Sequence, residues 1–292
     1  MRRIILALAL IGLIGAGLWA QEEPCQDPEC WIEYMRQGGA EVRKEAREAL
    51  IALGPAAVPT LIEATRDESD WIRWEAVNAL GSITFQDPES VVQAIPALVE
   101  RALTDINPHP RWRSLWALAT FPDEIVQQQV IPLLRKGLEE EEPRIVWNAA
   151  VALAYFGQAD VAPLLNRGIQ AEDEFQRWEA VYCLGMVHND ESVSLLMAVV
   201  SGVDEYPTRL RQEAANTLGK IGDPQAIPAL LSALDDPESG VRWRAASALA
   251  RIGDPTVLPE LRAALVREQD PMASEQIQAA IAQLMEKVTD NG

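Results

Sequence analysis

One pattern recurs along the whole chain. Aligned on a leucine, it appears as REALIALG around Leu50, VNALGSI around Leu80, LWALATF around Leu118 and AVALAYFG around Leu153. It continues as VYCLGMV around Leu184, ANTLGKIG around Leu218 and ASALARIG around Leu249, with a divergent copy centred on Ile281. Successive copies lie 30 to 38 residues apart. Between them runs a second element: VPTLIEA, IPALVERAL, IPLLRKGL, APLLNRGI, VSLLMAV, IPALLSAL and LPELRAAL. A fixed period of this length constrains a fold more than any single motif does. Proline opens the second element at Pro59, Pro96, Pro132, Pro163, Pro228 and Pro259, where a helix tolerates its missing N–H. Gly54, Gly157, Gly222 and Gly253 fall just past the first element, as helix C-caps do. Each unit is therefore a pair of helices. A lone pair cannot bury its apolar face, so neighbours must stack into a continuous core. The spacing predicts an all-α solenoid of about seven two-helix repeats, closed by a C-terminal capping helix.

VRWRAASALARIGDPTVLPELRAAL and LRQEAANTLGKIGDPQAIPALLSAL resemble HEAT repeats of the phycobilisome-lyase type. The resemblance spans roughly residues 41 to 286. It implies a right-handed superhelix of two helix layers. The helix bearing the Val-Arg dipeptide would line the concave side, and the proline-led helix the convex side. The third repeat departs from the pattern, because PRWRSLWALATFPDE lacks the glycine turn. The fifth has Ser194 in place of proline.

The ends divide differently. Residues 1–20 (MRRIILALALIGLIGAGLWA) have the form of a signal peptide, with Arg2 and Arg3 before an uncharged apolar run. An uncleaved N-terminal anchor is the competing reading. Residues 21–40 form a linker or cap with a cysteine pair, and residues 41–290 the solenoid. Export makes a Cys25–Cys30 disulfide the natural reading of CQDPEC, and places the protein in the periplasm or outside the cell. Cys183 stands where sibling repeats have alanine and reads as a small core residue. Lys plus Arg number 25 against 44 Asp plus Glu, a net charge of −19. That balance argues against nucleic acid and against a grip on anionic lipid.

Two rows of side chains run through the repeats. Seven residues before the aligned leucine stand Arg43, Arg73, Arg111, Arg177, Arg211 and Arg242, with Val146 the one break. Six residues before four of these lies an acid: Asp67, Asp105, Glu205 and Asp236. We read this row as a structural ladder of guanidinium–carboxylate bonds between units, as in similar repeats. One residue after the arginine position come Trp74, Trp112, Trp147, Trp178 and Trp243, which are five of the chain's nine tryptophans. Trp74 lies nearly opposite the buried stripe of its own helix, Ile72, Ala76, Ala79, Leu80 and Ile83. One turn further on stand Asn78, Trp116 and Tyr182. In the family geometry these side chains face a concave groove.

Helix axes pack about 8–10 Å apart, and a polyproline II helix advances about 9.3 Å per turn. The row therefore suits an extended proline-rich peptide or a glycan. Glu75 and Glu179, beside Trp74 and Trp178, would instead suit a cation cage. The plainer alternative is a lid, with each tryptophan lying flat on the next helix or stacked on Arg113 or Arg244.

Enzyme motifs are absent from the sequence. His109 and His188 are the only histidines, and neither sits in a helical His-Glu pair of the kind HEAT-like hydroxylases use. There is no nucleophile elbow, Walker loop or dinucleotide fingerprint. A bilin-lyase activity, implied by the family name, conflicts with export. The expectation is a scaffold with no catalytic residue, cofactor or metal, binding a cationic or proline-rich protein segment in the cell envelope. Glycan binding by the same groove is the alternative.

Overall fold

A computed structural model describes residue 25 and residues 27–290. The signal segment, residues 1–20, lies outside the described residues. The described residues are all helix, turn and coil, an all-α solenoid. The helices are α1 (Pro28–Gln37), α2 (Ala40–Leu53), α3 (Val58–Ala64), α4 (Asp70–Gln86) and α5 (Ile95–Thr104). They continue as α6 (Pro108–Leu118), α7 (Ile131–Lys136), α8 (Pro143–Tyr155), α9 (Ala162–Gly168), α10 (Glu174–Cys183) and α11 (Asp190–Ser201). The last are α12 (Thr208–Ile221), α13 (Ile227–Ser232), α14 (Ser239–Ile252), α15 (Leu258–Arg267) and α16 (Pro271–Asp290). No described helix is long and apolar enough to cross a membrane.

The two layers follow the repeat. Except between α6 and α8, each even-numbered helix packs on the next even one, and each odd-numbered helix packs on the even helix that follows it. α1 packs on α2 and α3, so it is the half-repeat that starts the odd layer. α16 packs on α14 and α15 and ends the even layer. Between them runs one core, from Met35 through Leu50, Leu80, Leu118, Leu153, Leu184, Leu218 and Leu249 to Ile281. Every aligned leucine is thus buried.

The punctuation is where the sequence put it. Gly54, Gly157, Gly222 and Gly253 all have positive φ, a conformation that L side chains rarely adopt. The six prolines sit in the first turn of α3, α5, α7, α9, α13 and α15. Where proline is missing, in the fifth repeat, α11 instead starts with a reciprocal capping box between Asn189 and Ser192. The third repeat, which lacks the glycine, connects α6 to α7 through a π-helical turn at Val126–Val130. At the N-terminus Cys25 and Cys30 form a disulfide with Cα atoms 5.6 Å apart. Asp27 inside that loop caps α1 by accepting from the Cys30 N–H. Cys183 is free and fully buried, and burial pushes its thiol well above the ordinary range.

Candidate functional site

The ladder exists, but it is interrupted. The Arg73 guanidinium donates to both oxygens of Asp105, at 2.7 and 2.9 Å. Arg211 grips Asp236 at 3.0 and 3.0 Å, and Arg242 grips Glu268 at 2.7 and 2.6 Å. Each of these arginines also donates to backbone carbonyls of the turn before its own helix. A rung thus ties one turn to the next through a planar fork that a lysine could not supply.

Other predicted members are placed differently. Arg43 donates to the Gly38 carbonyl and stacks over Trp71 at 5.2 Å. Asp67 pairs with Arg36 of α1, so its carboxylate caps the ladder from the half-repeat. Arg177 bonds only the carbonyls of Ala171 and Glu172 in its own turn. Glu205 is exposed and makes no ion pair among the described residues.

Arg111 makes the largest departure. It crosses to Glu179, two repeats away, at 2.6 Å. The Trp112 indole N–H donates to the same carboxylate oxygen at 3.1 Å, and the Trp147 indole N–H donates to the other at 2.9 Å. Glu179 is 1% exposed. A carboxylate buried that deeply needs such partners, because burying an unpaired charge is costly. The hub joins α6, α8 and α10. α6 and α8 themselves hardly touch, whereas α4–α6 and α12–α14 lie in close contact. The third and fifth repeats therefore meet over a recessed fourth.

Above that recess lies a pocket of about 510 Å³. Trp74 of α4, Trp112, Arg113 and Trp116 of α6, and Phe175, Trp178 and Tyr182 of α10 line it. Pro108 and His109 sit at its mouth, and α8 contributes none of the lining. Four of these rings pack on one another. Phe175 stacks on Trp178 and Trp178 on Tyr182, with centroids 5.8 and 5.2 Å apart. Trp112 meets Tyr182 edge-on at 5.6 Å and Tyr155 at 6.2 Å. Such pairs lock ring orientation. A smaller pocket of about 330 Å³ adjoins, sharing the Phe175 and Trp178 walls and adding Arg209.

The predicted groove row thus divides. Trp74, Trp112, Trp116, Trp178 and Tyr182 are half-buried and line one pocket. Trp147 does not; it is 9% exposed. Its ring lies against α9 so closely that a Cβ on Gly168 would come within 2.2 Å of it. It is a structural rung, as the lid reading has it. Asn78 is buried as well, and its side-chain oxygen accepts from Arg113. Trp243 stands apart at the C-terminal end, under Arg244 at 4.3 Å.

Cations already occupy many of the aromatic faces. Arg113 covers Trp116 at 3.6 Å, Arg47 covers Trp74 at 6.0 Å, Arg209 covers Trp178 at 5.9 Å and Lys220 covers Tyr182 at 4.8 Å. The two acids that suggested a cation cage are committed elsewhere. Glu75 pairs with Arg47 at 2.7 Å, and Glu179 holds the hub. Burial raises the Glu75 carboxyl above its ordinary value, against the pull of Arg47. Burial also raises the Tyr182 and Tyr155 phenols, and burial with the neighbouring Arg47 charge lowers the Arg113 guanidinium.

The sequence reading has Arg113 only as a tryptophan's stacking partner, which it is for Trp116; Phe175, Glu268 and the hub role of Glu179 escaped it. Glu268 need not have: it stands six residues before Ser274, the last copy's counterpart of the ladder arginine, at the offset of the other acids.

No curated protein matches the sequence. Among solved structures, YibA of Escherichia coli is similar at TM-score 0.56 and 18% identity, over 88% of this chain and 92% of that one. Human deoxyhypusine hydroxylase, solved with glycerol, aligns at TM-score 0.38 and 21% identity, over 89% of this chain and 96% of that one. At such identity the likeness to YibA speaks for the fold alone. HEAT repeats match the sequence at residues 29–119, 95–174, 131–209 and 198–282, which takes in α1 and nearly all of the solenoid. The chain belongs to the HEAT repeat family.

Proposed function

We propose that this protein is a non-catalytic scaffold of the bacterial cell envelope that holds a segment of a partner protein in its aromatic pocket. The observation that carries the reading is the pocket itself. Six aromatic side chains from three repeats converge on one opening; Trp112, Phe175, Trp178 and Tyr182 are oriented by mutual packing and by the buried hub, and Trp74 and Trp116 by arginines over their rings. Large apolar surfaces left open on a soluble fold usually mark interaction sites. Stacked rings at helix spacing suit proline, whose preformed polyproline II helix loses little entropy on docking. The signal-like N-terminus and the Cys25–Cys30 disulfide support a location outside the cytoplasm. The sequence pattern of the last two full repeats supports placing them in the phycobilisome-lyase type.

Trp178→Ala combined with Trp74→Ala tests the reading. Neither residue bonds to the hub, so the melting temperature is expected to fall by only a few degrees. Binding of proline-rich peptides, followed by tryptophan fluorescence, is expected to weaken at least tenfold. Trp147→Phe is the structural control, expected to lower stability with little effect on binding. Equal affinity in the double variant and the parent would reject the groove. Quenching by cell-wall glycans with silence across peptides would favour the glycan reading instead.

A further inference from the structure

The pocket's lining holds one arginine, Arg113, and no acid. The chain as a whole carries −19, yet both acids beneath the pocket are neutralised, Glu75 by Arg47 and Glu179 by Arg111. Lys220 lies 3.9 Å from Glu213. Arg113 is left over. Its guanidinium forms part of the pocket wall, stacked on Trp116. Its one side-chain acceptor is the neutral amide oxygen of Asn78. Its Nε is buried without a hydrogen-bond partner, and no described carboxylate lies within ion-pair distance of it. Glu75, already paired with Arg47, acts on it only from beyond that distance; a half-buried cation with no direct ion pair is unfavourable in the free protein, and an incoming anion relieves it. Arg209, over the far side of the Trp178 wall, is a second cation without an ion pair, although Asp173 and Glu174 share its smaller pocket.

We infer that the segment taken by this pocket is an acidic, proline-containing peptide, whose prolines lie on the aromatic wall and whose carboxylate pairs with Arg113. The inference rests on the groove reading above and names its ligand class. Two pockets share the Phe175 and Trp178 walls, so there is room for more than a single ring, which favours an extended chain. In a polyproline II helix every third residue returns to the same side, about 9.3 Å further on. A Pro-Pro-Glu repeat therefore presents all its acids on one edge and prolines on the other two. Guanidinium–carboxylate pairs are strengthened where water is partly excluded.

The test uses short peptides of repeating Pro-Pro-Glu, Pro-Pro-Gln and Pro-Pro-Lys, titrated against the full chain and followed by tryptophan fluorescence. The Glu peptide is expected to bind about tenfold tighter than the Gln peptide, a difference of about 1.4 kcal/mol, and the Lys peptide more weakly than either. In Arg113→Gln the Glu and Gln peptides should bind alike, at the parent's affinity for the Gln peptide. Equal affinities for Glu and Gln in the parent, or a preference that survives Arg113→Gln, would overturn the inference and leave the groove standing. Because Arg113 also supports Trp116 and Asn78, the parent's ranking of the three peptides decides the question even where the variant unfolds. Failure of all three peptides to quench would reject the peptide reading of the groove, and this inference with it.

Discussion

The C-terminal repeats and the middle repeats join the same kind of unit in two ways. From α12 to α16, neighbours are tied by local rungs, Arg211 to Asp236 and Arg242 to Glu268. The even helices touch so closely that a Cβ on Gly219 would come within 2.7 Å of the Ala248 backbone. From α6 to α10 no such rung forms. Val146 and Ala171 remove both partners of one rung, and Arg111 leaves the row to reach Glu179. α6 and α8 separate, and aromatic rings fill the space. Short-range pairing makes a closed stack. A link that skips a repeat leaves a recess, and the recess is the pocket.

Breaking the hub should give the largest effect. Glu179→Ala leaves Arg111 buried without its counter-charge, which is expected to cost about 3–5 kcal/mol. Amide exchange should quicken between α6 and α10 while α12–α16 stay protected. Uniform loosening would mean that the two regions are not separate. In the closed stack, Gly219→Ala forces two helix backbones apart and should cost about 1–3 kcal/mol by thermal unfolding, without moving the fluorescence of the pocket tryptophans. Gly222→Ala, at φ 76, should cost about 1–2 kcal/mol, from backbone strain in a left-handed cap alone. The smallest effect is a pH dependence of the terminal rung. The Arg242 hydrogen bond lowers the Glu268 carboxyl from 4.5 to about 2. A depressed pKa means that the unfolded chain takes up the proton first. The rung's contribution is therefore complete above pH 4.5 and fades as pH falls towards 2. Glu268→Gln should flatten that part of the acid-unfolding curve and leave the hub's response unchanged.

Much of this was legible in the residues. The aligned leucines, the first-turn prolines and the four capping glycines each report a local requirement that the chain states wherever it occurs. The break in the ladder was half legible, since Val146 announces it. That Arg111 would abandon the nearby acid Glu140 for Glu179 was not. Both are acids at reasonable positions, and the choice depends on how far α8 sits back from its neighbours. Trp74, Trp147 and Trp243 share one alignment position yet become pocket wall, buried strut and a half-buried ring under Arg244. Asn78 looks like a groove residue by phase and is buried because Arg113 reaches it.

Periodicity by itself determined the helix pairs, the core and the C-terminal cap, because each depends on contacts within a unit or to the next one. Tertiary structure alone decided which aromatics face the opening, which acid anchors the centre and which arginine lines the pocket without an ion pair. Those outcomes depend on small displacements between stacked units. Such displacements add up over several repeats, and no single repeat encodes them.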